Sequence, residues 1–528
     1  MKKFLGFLLA LILITSCSSV KKYNQQISMQ HTVEALRSDV DNLYFQLKKN
    51  HPKLYQYTPK EQLDFKFDSL KKSINSPLTS REFYKKLAPV VANVKQGHIA
   101  VGSVIKRFTK KERKELRKFK QEFFDLDFEF LDEKLWVTNT RGEDSTLVGS
   151  EVVKIDNEHV SHLISTYKTR FASDGFNKTL YNRYVGKVFS RLHVKEHGYF
   201  DSLQVAFKQH DSLITKTFKQ IEKNKKKDSI STNDTLKIAK PKLTKTEKKA
   251  NRIANQNKRK YNKKHGLIKG DAYTRNFNFL EADSTVAYMK IESFSNGNYK
   301  KFYKESFATL DSAKTKNLIL DLRDNGGGRI AEISYLYSFL TNDNYKLVEE
   351  SEVKNRLPYF NFLMSNSSPT SLKIVSALVS PIIVAHNLIK TKKRDGSIYY
   401  KLRFSKEAKP NPLNYKGNMY VLINGNSFSA SSLISTHLKA TNRAVFVGEE
   451  TGGAYNGCVA GIYKIYQLPN TKLKIRMGLM QIETPYKQMP DGFGIKPDVE
   501  ITHTIEDVKT KTDPEIEWIL KHINQNKN

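Results

Sequence analysis

Met419-Tyr420-Val421-Leu422-Ile423-Asn424-Gly425-Asn426-Ser427-Phe428-Ser429-Ala430-Ser431-Ser432 begins as an apolar strand, breaks on small polar residues and restarts as a helix. Ala430, Leu433, Ile434, His437 and Leu438 recur at the i, i+3, i+4, i+7, i+8 spacing of one helical face, so Ser429 falls at or beside the N-cap. Orphan amides of a first helical turn point outward there and suit a developing anion. A hydroxyl at such a junction can attack a carbonyl, with the Ala430 amide on the oxyanion. Serine is equally a preferred N-cap, so the surrounding chain has to decide between the two roles.

Upstream, Asn317-Leu318-Ile319-Leu320-Asp321-Leu322 reads as a buried strand and Arg323-Asp324-Asn325-Gly326-Gly327-Gly328 as a turn. From Arg329 a helix carries Ile330, Ile333, Tyr337 and Leu340 on one face. Strand, turn and helix therefore occur twice, which predicts stacked β-β-α units and an α/β fold rather than an antiparallel sandwich. The three glycines lack the ending of a P-loop and the spacing of a dinucleotide fingerprint. They free the backbone to approach a substrate closely, and an amide of Gly327 or Gly328 beside that of Ala430 would make a two-donor oxyanion hole. Asp321 and Arg323 are placed to brace the turn by pairing with each other.

These motifs, followed by Val447-Gly448-Glu449-Glu450-Thr451-Gly452-Gly453, resemble in order and spacing the carboxy-terminal processing (tail-specific) serine proteases and their tricorn-core relatives. The resemblance covers roughly residues 284 to 505. It implies a crotonase/ClpP-like catalytic domain, a serine-type endopeptidase activity with Ser429 as nucleophile, and a peptide or unfolded protein tail as substrate, with no cofactor and no metal. Ser432 stands where that family's Ser-Ala-Ser-Glu motif has glutamate. The Ser/Lys branch has its lysine base where this chain has Ala454, so the resemblance turns to the tricorn-like branch, whose base is a histidine. Gln96-Gly97-His98-Ile99 is similar to that branch's Gly-His motif and assigns the base to His98. Pro490-Asp491-Gly492-Phe493-Gly494-Ile495-Lys496-Pro497-Asp498 is similar to its late acidic segment and gives Asp491 a supporting role; Asp498 reads as structural. The alternative is an inactive peptide- or apolar-ligand-binding lipoprotein on the same fold, for which a His98 to Ser429 separation above about 6 Å would speak.

The rest of the chain supplies an address and an organisation. Lys2 and Lys3, an apolar run over residues 4–14 and Ile14-Thr15-Ser16-Cys17 resemble a bacterial lipoprotein signal. The apolar run is shorter than the about 20 residues that span a bilayer. Cys17 would carry the lipid and anchor the protein in the cell envelope, at the inner or outer membrane, with the catalytic part periplasmic or extracellular. Cys458 is the other cysteine, which leaves no disulfide and no cysteine metal site in the mature chain. The formal charge of +35 would suit nucleic acid, but an exported chain argues for no nucleic acid as partner.

Between Lys216 and Lys269 stand 19 basic and 4 acidic residues, as in a solvated insert. The expected division is a signal over 1–16, a tether over 17–27, an N-terminal helical domain over 28–118 and a PDZ-like β-rich domain over 119–218. A basic low-complexity insert over 219–270 and the catalytic domain over 271–528 complete it. In the PDZ-like part an exposed strand edge would take a peptide by β-augmentation. Residues 371–389, apolar nearly all round and interrupted by Pro381, read as a lid or a buried helical pair in preference to a membrane contact. Oligomeric state is left open by the sequence.

Overall fold

The computed structural model describes residues 20–142, 144–223 and 244–526. The signal over 1–16, Cys17 and residues 224–243 of the basic insert lie outside the described residues.

At the centre is a six-stranded sheet in the order Arg275–Phe279, Val286–Ile291, Asn317–Asp321, Asn418–Ile423, Val445–Gly448, Val499–Glu500. The first pair is antiparallel and the rest are parallel. Parallel strands are covered on both faces, hence their unbroken apolar runs. Leu318, Ile319, Leu320, Val421, Leu422 and Ile423 are all fully buried. Leu320 pairs with Val421, which brings the ends of the two strands side by side and sets the glycine turn next to the Ser429 turn. The helices Tyr299–Ser312, Ile330–Ser338 and Ala430–Ala440 contribute to the main core. Ile519 and Ile523 of the C-terminal helix Pro514–Gln525 join a smaller cluster with Ile319, Leu422 and Val447.

A second sheet, ordered Thr391–Arg394, Ser397–Tyr400, Ser351–Val353, Lys474–Ile482, Cys458–Gln467, completes the catalytic part, with Ala100–Gly102 also pairing to Lys474–Ile482. That pairing sets Ala100 opposite Arg476. It fixes the segment just after His98 to the catalytic domain.

The helices Val33–Asn50, Lys60–Ser73 and Ser80–Ala92 lie within residues 28–118, the stretch expected to be helical. Thr32 caps the first and a Thr79/Glu82 capping box starts the third. Their Leu36, Leu43 and Phe83 share one continuous core with Met289, Leu320 and Ile475. The β-rich part keeps its own core around Phe123, Phe189 and Phe207, under a sheet containing Glu151–Ile155 and Ser202–Gln209. Its helix Thr179–Lys187 meets the backbone of the strand Leu126–Leu131 at Gly186, where a Cβ would come 2.6 Å from Phe130 N.

The basic insert yields one exposed helix, Lys245–His265, started by a Thr244/Glu247 capping box and stopped by Gly266 in the left-handed region. Its last turn docks, with His265 buried against Phe302. Residues 371–389 do form a helical pair, Thr370–Leu378 and Ser380–Lys390, but it is not buried: Leu378, Ile382 and Ile389 are about three-quarters exposed. An all-round apolar helix satisfies an interior and an unpartnered surface equally well by pattern alone.

Candidate active site

Ser429 occupies the N-cap position of Ala430–Ala440 and does not cap it: its side chain accepts no helix amide, and its backbone stands at φ 58°, ψ −117°. A positive φ is rare for a residue with a Cβ and marks a turn held by its surroundings. Here the surroundings are the Asn424 side chain, which takes the amides of Asp324 and Asn426, and Ser427, whose Oγ donates to Leu322 O at 2.8 Å. The turn swings the Ser429 hydroxyl out of the helix end and toward His98, whose Nε2 lies 3.0 Å from Ser429 Oγ. This is within the reach a general base needs.

His98 is buried, and burial first, then the charge of Arg476, lowers its pKa to about 3. It is therefore neutral across the neutral pH range, with a lone pair available to take a proton. For Nε2 to accept from serine the ring proton resides on Nδ1, which is 3.2 Å from Tyr463 Oη. The ring also lies against Phe428 and Tyr463. Tyr463, on the strand Cys458–Gln467, thus holds the orienting position that a carboxylate fills in a Ser-His-Asp triad.

Asp491 does not touch His98. Its carboxylate accepts from Gln56 Nε2, Asn456 Nδ2 and the Gly492 amide. Gln56 Oε1 in turn accepts from Gln96 Nε2, two residues before His98, so any support from Asp491 travels through the loop. Asp498 is structural as expected, accepting the Phe446 amide and pairing with Lys439. Asp321 and Arg323 pair within a buried network that adds Tyr288, Lys290 and Asp513. The neighbouring cations hold Asp321 well below the usual carboxylate range, despite burial.

A carboxylate that sequence reading missed lies closer. Asp174 is fully buried in a loop of the β-rich domain and accepts the Gly97 amide at 2.7 Å, the residue before His98; the Ala454 amide also bonds to it. Burial raises its pKa to about 7 against those two bonds. Around it, Ser173 Oγ donates to Gly452 O, Asn177 Nδ2 to Thr451 O and Thr179 Oγ1 to Glu450 O. This loop therefore ties the histidine segment to the Gly-Glu-x-Thr-Gly-Gly segment. Nothing in its local pattern separates Asp174 from an ordinary turn aspartate.

Of the three expected oxyanion donors the geometry retains two. The Gly327 amide is spent on Asn325 Oδ1 at 2.9 Å, whereas among the described residues the amides of Gly328 and Ala430 have no protein acceptor. Gly327 serves differently. At φ 96° a Cβ on it would come within 2.7–2.8 Å of Phe428 O, Ala430 N and Ser429 Cβ, so only glycine keeps the space before the serine open. Beside Ser429 opens a cavity of about 330 Å³, walled by Tyr359, Leu402, Phe404, Leu433, Met480 and Ile482. Cys458 also lines it, its thiol in hydrogen-bond contact with Ser429 and pushed up in pKa by burial.

A serine held off its helix, a neutral histidine at 3.0 Å and two free amides together define a serine-peptidase class of site on an α/β fold. Residues 285–501 match the family model described as Peptidase family S41. The fold of the whole is similar to that of mature CPAF, at 13% identity and TM-score 0.57 over 91% of this chain and 94% of that one. A second structure, mature CPAF complexed with lactacystin, gives 14% identity and TM-score 0.58 over 93% and 97%. Among curated proteins, a Chlamydia muridarum (strain MoPn / Nigg) protein described as uncharacterized is 26% identical over 247 residues, 42% of this chain. The match spans 39% of that relative's length.

Several other histidines share the fate of His98. Burial lowers His51 and His193 to about 3 and His437 to about 4; His31, His197 and His265 shift the same way. Below about pH 6.5 the unfolded chain takes up protons at these sites while the folded chain does not, so stability falls as pH falls from 6.5 toward 4. Asp174, Glu129, Glu292 and Glu332, whose pKa values are raised by burial, run the other way. His503, raised by Glu515, has its contribution complete by pH 6.5. The histidines outnumber the opposing acids, at about 1.4 kcal/mol per pH unit for each net proton. The urea midpoint is expected to drop between pH 7 and pH 5; a flat or rising midpoint would show that these histidines are not held neutral.

Proposed function

We propose that the protein is an exported, membrane-anchored serine endopeptidase that cleaves peptides or protein tails through an acyl-enzyme on Ser429. The 3.0 Å approach of His98 Nε2 to Ser429 Oγ carries this reading. Ser429 attacks the scissile carbonyl as His98 takes its proton, and Tyr463 Oη accepts from Nδ1–H and steadies the ring through the change of charge. The amides of Gly328 and Ala430 receive the oxyanion. His98 then protonates the leaving amine, and water, deprotonated in the same way, clears the acyl group. The mechanism needs no lysine at Ala454, consistent with a tricorn-like branch. Asp491 and Asp174 act on it by holding loops, and Cys17 would tether the enzyme to a membrane of the cell envelope.

The cavity beside the serine supports a large apolar residue on the acyl side of the cut bond, because its walls are aliphatic and aromatic. Incubating the purified protein with a peptide library and sequencing the products tests this. Cuts should follow Leu, Phe or Met, and a fluorophosphonate probe should label Ser429 and nothing in Ser429→Ala. Labelling at another serine, or no cleavage at all, would turn the reading toward a binding protein.

A further inference from the structure

The helical pair Thr370–Leu378 and Ser380–Lys390 is built for a partner that supplies both hydrocarbon and negative charge. The two helices meet at 67°. Across the bend Leu372, Val375, Leu378, Ile382, Leu388 and Ile389 are each between 40% and 78% exposed, one apolar face much larger than the scattered apolar residues of an ordinary surface.

Charge along this stretch of chain has one sign, although Arg394 at its end pairs with Glu350. From Val353 to Arg394 the chain holds no aspartate or glutamate, while Lys354, Arg356, Lys373, Lys390, Lys392, Lys393 and Arg394 supply seven cations. Lys392 and Lys393 lie exposed on the strand Thr391–Arg394 that continues from the second helix, and among the described residues neither pairs with a carboxylate. The pair is nevertheless firmly seated. Buried Asn387 accepts the Tyr359 amide at 3.1 Å and donates to Ile383 O, and Arg356 donates to Leu388 O. Tyr359 stands against His386 and Tyr400.

We propose that this helical pair docks the protein on an anionic lipid surface, lying in the interface with its apolar face among the acyl chains and its lysines among the headgroups. Neither helix, at 9 and 11 residues, is long enough to cross a bilayer by itself, and the 67° bend keeps the two from lining up as one straight span, so the pair lies in the surface instead of spanning it. A second copy of this chain is a poorer occupant. A twofold contact would press the same cationic rim against itself, whereas an anionic leaflet attracts each cation. Because Tyr359 also walls the cavity at Ser429, docking would place that cavity close to the membrane surface. The inference goes beyond the peptidase reading and stands whether or not Ser429 is catalytic.

Full-length Leu378→Trp and Ile382→Trp proteins, with wild type as the background for Trp136 and Trp518, report on the pair alone and not on any anchor at Cys17. On vesicles of phosphatidylglycerol and phosphatidylcholine the introduced tryptophan should shift to the blue and be quenched by lipids brominated in the acyl chains. On phosphatidylcholine alone it should stay in water. Adding Lys392→Ala and Lys393→Ala should weaken the response roughly 30-fold, at about 1 kcal/mol per cation. An introduced tryptophan that remains unquenched on anionic vesicles would overturn the proposal. So would one already shielded without lipid in a protein whose sedimentation mass is doubled, which would make the face a contact between copies.

Discussion

His98→Ala and Ser429→Ala are expected to lower peptide hydrolysis by similar factors, on the order of 10⁴ to 10⁶, with the double variant no slower than either single one. The two side chains act as one unit. Without a base the serine stays a neutral, poor nucleophile, and without the serine the base has nothing to activate. Ala454 leaves no lysine at the position that could replace His98, and the Cys458 thiol, although beside Ser429, is held protonated by burial. What survives should be the contribution of the Gly328 and Ala430 amides and of substrate binding. The urea midpoint and the labelling of each single variant separate lost chemistry from lost fold. A His98→Ala protein that keeps more than about a tenth of the activity would place the base elsewhere, because a positioned base contributes at least about 10².

Much of the catalytic sheet was legible because its strands are buried on both faces and read as unbroken apolar runs, and because each ends in a turn of glycine, serine or asparagine. Ser429 and the glycine turn could be paired from sequence since parallel neighbours end at the same edge. His98 was legible by its Gly97-His98 motif, whereas its orienting partner was not. Tyr463 lies 365 residues away on a strand whose other aromatic, Tyr466, looks alike. Asp174 reaches the site from the β-rich part, through a loop whose bonds are to backbone amides and carbonyls, which carry no residue signature. Asp491 was placed near the histidine by its motif, and the structure separates them with two glutamines. The apolar helical pair lies exposed and not buried for a plain reason: hydropathy records what a helix can bury, not whether the fold supplies something to bury it against.

Arg275→Met should cost about 3–5 kcal/mol, the toll of leaving a buried charge without its partner. Arg275 and Glu332 are both fully buried. Arg275 Nε donates to Glu332 Oε1 at 2.7 Å, and Arg275 also donates to the carbonyls of Ser295 and Asn296. Tyr303 Oη and Arg329 complete the shell of Glu332. Met fills a similar volume, so the loss would come from the buried carboxylate deprived of its fully buried cation and from the Ser295 carbonyl left without a donor, and not from a cavity. The pair also bears on catalysis. Ser295 and Asn296 follow Phe294, whose amide donates to Gly327 O and whose carbonyl accepts from the Arg329 amide, so the Arg275 side chain holds the segment against which the glycine turn is laid. Arg275→Met should therefore lower kcat together with the urea midpoint. Arg275→Met combined with Glu332→Met should recover most of the midpoint, since an apolar pair carries no uncompensated charge, but not the rate, because the Ser295 carbonyl would still lack its donor while that of Asn296 keeps Arg329 Nη2. A double variant as unstable as the single one would mean that Arg275 stabilises by its shape and its carbonyl bonds, and that the charge of Glu332 is already satisfied by Arg329 and Tyr303.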